Sequence, residues 1–181
     1  LKSKSKKIIS FWKDISESLI ANNVFSNDSY KHFMEWISAF NCCKIRVVRL
    51  CTTFFICSLF ESLANSISWR KGELEKNQQN SKAKQNHQQN SLFEQEISLY
   101  LSVANDLYKN LLIVRIRDID DKIRNLIISS LTNAMIICDV EFLDEQKLKY
   151  VGRALNDTSS VNRLDAIKFC EKIVLHVITE S

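Results

Sequence analysis

The stretch Leu112–Arg124 decides the fold, and it reads LIVRIRDIDDKIR. An apolar run ends at Arg115 and Arg117, an aspartate-rich turn follows, and an Ile-Arg pair opens a second apolar run. Residues three and four apart share one face of a helix, so the two runs predict two helices joined by a short acidic turn. The sequence before this turn predicts long helices, and the sequence after it predicts shorter helices at regular spacing.

The same arrangement recurs downstream. Arg163 follows Asp157 as Arg124 follows Asp118, and the two arginines are 39 residues apart. A period of about 40 residues, with an acidic turn and a Val/Ile-Arg start to the second helix, is typical of HEAT repeats, whose helix pairs stack because no single pair buries its apolar face. A weaker copy of the helix start lies at Arg46. We therefore expect a HEAT-repeat-like helical solenoid.

Acidic turn residues in such stacks pair with an arginine of their own repeat or of the next one. The spacing predicts that Asp157 pairs with Arg163, and that Asp118 or Asp121 pairs with Arg124. These pairs would form a structural ladder along the solenoid.

Arg115 and Arg117 precede the turn, at the end of a helix, where cations complement the partial negative charge of the last carbonyl groups. We expect both to lie on an exposed recognition surface rather than in the ladder.

Composition supports an all-α protein. The 181 residues include no proline and only two glycines, which leaves almost none of the residues that hairpins and phosphate-binding loops require. The chain is long enough for one core or one run of stacked repeats. Its first residue is Leu1 rather than Met, so we expect a piece of a longer polypeptide or a trimmed chain.

Catalysis, cofactor binding and metal binding find little support. The three histidines are scattered, no glycine-rich loop is present, and no two cysteines are spaced as Cys-x-x-Cys. We expect a protein that is not an enzyme, with no cofactor and no metal. The six cysteines lie mostly inside apolar helical patterns and predict free, buried thiols in a reducing compartment rather than disulfides or a metal site. The longest run without a charge, Asn125–Cys138, is too short to cross a bilayer, and no signal peptide is visible, so we expect a soluble intracellular protein.

One polar segment interrupts the apolar patterns. Arg70–Ser91 has only Leu74 and Ala83 as apolar side chains, so it cannot form a core. It is either a solvated extension of the two long flanking helices or a disordered connector. We expect two regions, residues 1–91 with a polar tip at 70–91, and residues 92–181 with the repeats.

Basic residues cluster at the N-terminus and in the polar tip. Phosphate contacts need many cations on a solvated surface, so these clusters suit DNA binding without sequence specificity; a merely solvated face is the equal alternative. The candidate DNA-binding residues are Lys2, Lys4, Lys6, Lys7, Arg70, Lys71, Lys76, Lys82 and Lys84.

Several short motifs, in order, resemble the stromalin (STAG) subunit of cohesin, a HEAT-repeat protein. Residues 107–118, with YKN followed by VRIRD, resemble the family's FKGVFVHRYRD run. FLDE and LKYVG at residues 142–152 are similar to FLNDSYLKYVGW, and residues 155–164 resemble its D-x-x-x-x-VRL. Order and gaps agree over about seventy residues, and residues 11–12 and 45–49 resemble the family's STAG region more loosely.

The resemblance implies a role in sister-chromatid cohesion and a nuclear, chromosome-associated location. It implies kleisin, other cohesin subunits, shugoshin-like regulators and the DNA backbone as partners, without a membrane or a small-molecule substrate. It places Lys109, Arg117, Glu145 and Tyr150 on the family's conserved surface. The competing hypothesis is a HEAT-type scaffold or transport adaptor with no DNA role.

The sequence departs from the family at two positions. Ile116 replaces the aromatic residue of the RYRD run, and Arg153 replaces the tryptophan of the YVGW run. The resemblance implies that those two aromatic residues wall a pocket for Phe- or Tyr-containing segments. An arginine at this position favours an acidic segment instead, so Arg153 joins the candidate partner-binding residues, which also include Arg115 at the end of the helix before the turn.

Overall fold

The structure, a computed structural model, describes residues 2–26, 29–79 and 87–180, with side chains for 7–26, 30–77, 88–139 and 141–179. All regular structure in these ranges is helical, which confirms the predicted all-α fold. The helices are α1 (Lys2–Ala21), α2 (Ser29–Asn41), α3 (Arg46–Gln79), α4 (His87–Leu107), α5 (Ile113–Arg115), α6 (Asp121–Ile137), α7 (Asp139–Phe142), α8 (Glu145–Ala154) and α9 (Ser160–Glu180).

Helix α3 is the centre of the fold. Helices α1, α2, α4 and α6 all pack against it, and Ile56, Leu59, Phe60, Leu63 and Ile67 are fully buried along its middle. Part of α3 is long and apolar enough to cross a membrane, with a mean hydropathy of 1.6, yet 61% of that part is buried inside the fold. Its composition is therefore that of a core helix enclosed on most sides.

The polar tip is helical where the structure describes it. Helix α3 continues through Arg70 to Gln79, and α4 already begins at His87. These parts are extensions of the flanking helices, and residues 80–86 lie outside the described residues. At the base of the tip Arg70 links α3 to α4, because its Nε donates to Glu96 at 2.6 Å and its guanidinium lies 4.8 Å from the ring centre of Tyr100.

Helix α4 runs into a π-helical segment, Tyr108–Leu112, before the short helix α5. The wider turn of a π-helix changes the hydrogen-bond pattern of the backbone. The carbonyl of Leu111 here accepts a hydrogen bond from Nδ2 of the buried Asn41 at 3.3 Å, which ties α2 to this segment. Within the segment, Lys109 remains exposed while Tyr108 is buried.

The second helices of successive units, α3, α6 and α9, stack in order, with α8 packed against α6 and α9. Aspartates start the shorter helices: Asp120 caps α6 by accepting from the amides of Lys122 and Ile123, and Asp144 caps α8 through the amide of Lys147. This stacking is the predicted helical solenoid.

Candidate partner-binding site

The first rung of the ladder joins α3 to the acidic turn. Nε and Nη2 of Arg49 donate to the two carboxylate oxygens of Asp118 at 3.0 and 3.3 Å. Nη1 of the same guanidinium donates to the carbonyls of Cys43 and Lys44 at 3.2 and 2.8 Å. Burial would raise the pKa of Asp118, whose side chain is 1% exposed, but the hydrogen bonds from Arg49 and other donors outweigh it and hold that pKa below its ordinary value.

The second rung repeats this geometry one unit later. Nε and Nη2 of Arg124 donate to the carboxylate of Asp157, both at 2.7 Å, while Nη1 donates to the carbonyls of Asp118 and Ile119 at 2.8 and 3.1 Å. The hydrogen bonds from Arg124 lower the pKa of Asp157 to about 2, against the effect of burial. Each rung is a two-point ion pair between units.

The predicted pairing within one turn is wrong. Arg163 contacts Asp157 through Nη1 and the backbone carbonyl, at 2.8 Å, and not through the carboxylate. Likewise Arg124 takes the carbonyl, not the carboxylate, of Asp118. In all three arginines Nη1 binds the carbonyls of the arginine's own turn. In Arg49 and Arg124, Nε and Nη2 also bind the aspartate of the following unit. The ladder arginines are thus Arg49, Arg124 and Arg163.

The helix start near Arg46 is a copy of the repeated helix start, as predicted. The arginine that forms the ladder ion pair in this unit is not Arg46, however. Arg49, three residues later, takes that position, because its Nη1 reaches the carbonyls six and five residues before it, as in Arg124 and Arg163. Arg46 forms a separate ion pair with Asp120, the residue that caps α6.

The expectation that Arg115 lies on the exposed surface is also wrong. Its side chain is 14% exposed, and Nη1 donates to the carboxylate of Asp118, which Arg49 already binds. A charged carboxylate that is almost fully buried is stabilised by hydrogen-bond donors. The carboxylate of Asp118 therefore holds the side chain of Arg115 inside the fold. Arg117, two residues later, is exposed as predicted.

A cavity of about 150 Å³ opens beside the second rung, between the end of α5 and helices α6, α8 and α9. Its lining combines apolar side chains with polar and charged ones. The residues that shape it are Ile116, Arg117, Asn125, Tyr150, Arg153 and Phe169. We call this cavity the arginine pocket.

Two cations of the arginine pocket have no ion-pair partner among the described residues. The guanidinium of Arg153 lies 5.5 Å from the ring centre of Tyr150, so the aromatic ring orients the cation without neutralising it. Neither Arg153 nor Arg117 forms an ion pair with the residues that the structure describes, whereas Arg124 is neutralised by Asp157. The two free guanidinium groups suit a carboxylate or another planar anion.

The structure brings together three of the predicted partner-binding residues, Arg117, Tyr150 and Arg153. Lys109 and Glu145 are exposed but do not line the pocket. Sequence reasoning missed Phe169 and Asn125, which α9 and α6 contribute to the lining. The only signal for Phe169 was the apolar pattern of α9, which does not separate a pocket residue from a core residue.

The predicted DNA-binding cations have different environments. Lys7 and Lys76 are exposed, and Lys76 forms an ion pair with the neighbouring Glu73 at 2.8 Å. The side chains of Lys2, Lys4, Lys6, Lys82 and Lys84 lie outside the described residues.

Arg70 and Lys71 are not the free surface cations that the composition predicts. Arg70, with a side chain 14% exposed, pairs with Glu96, and Lys71 pairs with Glu141 of α7. Because α4 and α7 carry acidic residues opposite them, both cations link α3 to a neighbouring helix.

All six cysteines are free thiols, as the sequence predicts. Cys57 and Cys138 are buried within the core, and burial raises the pKa of both thiols. Cys42 and Cys51 are exposed, so the apolar patterns around them do not place them inside.

Known proteins of similar sequence are cohesin subunits. Sister-chromatid cohesion protein 3 of Arabidopsis thaliana is 25% identical over 185 residues and 96% of this chain. Cohesin subunit psc3 of Schizosaccharomyces pombe is 24% identical over 170 residues and 87% of this chain. The chain spans only 17% and 18% of the lengths of these relatives.

A solved structure and two family models indicate the same family as these relatives. The cohesin subunit Scc3 from Z. rouxii has the same fold, with a TM-score of 0.71 and 20% identity over 93% of this chain and 21% of that one. The STAG domain model matches residues 1–98, more than half of the chain, and the stromalin conservative domain model matches residues 117–177. The chain belongs to the STAG (stromalin) family.

Proposed function

We propose that this chain is the part of a cohesin subunit that acts as a non-enzymatic adaptor in sister-chromatid cohesion and chromosome segregation. Its partners would be the kleisin, other cohesin subunits, shugoshin-like regulators and the DNA backbone, in the nucleus and on chromosomes. Family membership and the names of the relatives support the cohesin role. The observation that carries the adaptor role is the arginine pocket.

The arginine pocket suits one kind of ligand, an acidic peptide segment that also presents an apolar side chain. Ile116 and Phe169 offer apolar contact, and the cavity of about 150 Å³ has room for one side chain rather than a folded element. Arg117 and Arg153, which line the pocket and are exposed, can pair with carboxylates that flank this side chain. Extended surfaces of helical repeats bind peptides in this manner.

DNA binding is supported by charge alone. The chain carries a net charge of +4, and the exposed Lys7 and Lys76 can contact phosphates without reading base sequence. Affinity for duplex DNA that falls as salt rises would separate this function from that of a HEAT-type scaffold with no DNA role, which would not bind at low salt.

Affinity purification from nuclei tests the proposal. When the tagged protein is expressed in its native cells, we expect a kleisin and other cohesin subunits to co-purify with it. Arg153→Glu should reduce the recovery of a regulator that occupies the pocket, while Lys172→Glu, an exposed lysine of α9 outside the pocket lining, should not. Recovery without any kleisin would contradict the cohesin role.

A further inference from the structure

A second cavity, of about 280 Å³, opens between α1, α3 and α6. Leu126, Ser129 and Asn133 border it from one face of α6, since residues three and four apart share a face of a helix. Asn125, on another face, borders the arginine pocket, and the two cavities share no lining residue. The second cavity, which we call the Glu61 pocket after the carboxylate that lines it, is therefore a separate site.

Glu61 of α3 is the only acidic residue in the lining of this pocket. Its side chain is half-buried, and Oε2 accepts a hydrogen bond from Nδ2 of Asn133 at 3.3 Å. No cation among the described residues forms an ion pair with it. Lys13 also lines the pocket, but its Nζ lies 3.7 Å from Oε1 of Glu17, one turn further along α1. The pocket therefore holds a carboxylate that is partly withdrawn from water and lacks a paired cation.

The rest of the lining suits a long cationic side chain. Nδ2 of Asn65 donates to the backbone carbonyl of Glu61 at 3.0 Å, which leaves the amide oxygen of Asn65 as an acceptor. The amide oxygen of Asn133 is left in the same way, because its nitrogen donates to Glu61. The apolar part of the lining consists of Ile9, Phe54 and Leu126. An arginine matches both parts, because it carries five N–H donors on an apolar stem.

The attraction for such a side chain is local. The chain carries a net charge of +4, so a basic peptide gains nothing from the overall charge of the protein. Burial raises the pKa of Glu61 above its ordinary value, against hydrogen bonds from Ser130 and Asn133 and the positive charge of Lys13. The ionised carboxylate is thus less well stabilised than in water, and a bound guanidinium supplies the missing charge.

We propose that the Glu61 pocket binds an arginine side chain that an extended segment of a partner protein presents. The guanidinium pairs with the carboxylate of Glu61 and donates to the amide oxygens of Asn65 and Asn133, while the stem lies against the apolar lining. Arginine fits better than lysine, because its planar fork can bind a carboxylate at two points. This site does not depend on the cohesin role or on the arginine pocket.

Peptide binding to the purified full-length protein tests the proposal. The probe is a fluorescent peptide with blocked termini and one arginine between two leucines, and its counterparts carry glutamine or lysine in place of the arginine. We expect saturable binding of the arginine peptide, and binding of the glutamine peptide that is weaker by about tenfold or more. Equal binding of the arginine and glutamine peptides, or equal binding of the arginine and lysine peptides, would overturn the proposal.

Three variants locate the binding. Glu61→Gln should weaken the binding of the arginine peptide by about tenfold or more, whereas Glu94→Gln, an exposed residue of α4 outside the pocket lining, should not. Lys13→Gln should tighten it, because this change removes the cation that competes for Glu61.

Thermal unfolding of the same variants separates binding from a structural role. The amide of Glu61→Gln keeps an oxygen for the hydrogen bond from Asn133, so we expect no fall in the melting temperature. Unchanged peptide binding in Glu61→Gln, or a loss of binding that accompanies a large fall in the melting temperature while Lys13→Gln leaves binding unchanged, would make Glu61 a structural residue and overturn the proposal.

Discussion

Arg124 binds Asp157 at two points across the boundary between successive helical units, with Nε to Oδ2 and Nη2 to Oδ1 both at 2.7 Å. The side chains are only 13% and 10% exposed, and the amide of Ser159 adds a third donor to the carboxylate at 2.8 Å. The pair therefore fixes how α9 sits on α6, and with it the shape of the arginine pocket between them.

Removal of this rung should destabilise the protein strongly. Arg124→Gln leaves the carboxylate of Asp157 largely buried without its cation, so we expect the free energy of unfolding to fall by about 3 kcal/mol. Urea denaturation at neutral pH measures this change. Lys13→Gln is the control, because Lys13 and Glu17 form an exposed pair at 3.7 Å, and its effect should stay within about 0.5 kcal/mol. Equal effects of the two changes would show that the rung does not stabilise the fold.

Acid should break the same rung. The pKa of Asp157 is about 2 in the folded chain and 3.8 without its contacts, so the pair stabilises the fold fully above about pH 4 and loses its effect as pH falls towards 2. The loss should be about 2 kcal/mol. The difference in the free energy of unfolding between the wild type and Asp157→Asn isolates the contribution of Asp157, because both proteins carry the same other carboxylates. A difference that stays constant between pH 5 and pH 2 would contradict the lowered pKa.

Arg115 and Arg117 should behave differently although they are two residues apart. Arg115→Gln removes a donor to the buried carboxylate of Asp118, so we expect the free energy of unfolding to fall by about 1 to 3 kcal/mol. Arg117→Gln changes an exposed side chain and should alter stability by less than about 0.5 kcal/mol. Thermal unfolding of both variants provides the comparison, and a larger loss in Arg117→Gln would reverse the assignment.

Lys76 and Arg70, two cations of the polar tip, should have different roles, one in DNA binding and the other in stability. If the protein binds DNA, Lys76→Gln should weaken binding on all sequences alike and reduce the slope of log affinity against log salt by about 1, the loss of one phosphate contact. Arg70→Gln should instead lower stability, because Arg70 pairs with Glu96 and stacks on Tyr100.

Fluorescence anisotropy with a labelled duplex, measured over a salt series, tests these expectations. A smaller slope in Arg70→Gln than in Lys76→Gln would show that the half-buried arginine contacts phosphate after all.

Much of the fold follows from sequence because its signals are local. Apolar spacing, missing proline and the repeated acidic turn at Asp118 and Asp157 predict stacked helix pairs without any tertiary information. The partners in the ladder do not follow, because Arg49 and Asp118 are 69 residues apart, with most of α3 and all of α4 between them. The 39-residue spacing that reveals Arg163 therefore cannot reveal Arg49.

The candidate site was predictable only in part. The resemblance to stromalins places Tyr150 and Arg153 together, and the structure brings both to one pocket. Exposure depends on tertiary contacts, so the sequence does not distinguish Arg115 from Arg117. In the structure the ion pair with Asp118 holds Arg115 inside. Phe169 lies in an apolar helix pattern that gives no indication of which positions border a cavity.

The measurement that tests the central claim most directly is peptide binding at the arginine pocket. The probe is a fluorescent peptide with one phenylalanine flanked by aspartates and glutamates, and its counterpart carries lysines at the acidic positions. We expect saturable binding of the acidic peptide only, and a loss of about tenfold or more in Arg153→Glu but not in Lys172→Glu. Equal binding of both peptides, or an affinity for the acidic peptide that Arg153→Glu leaves unchanged, would contradict the account.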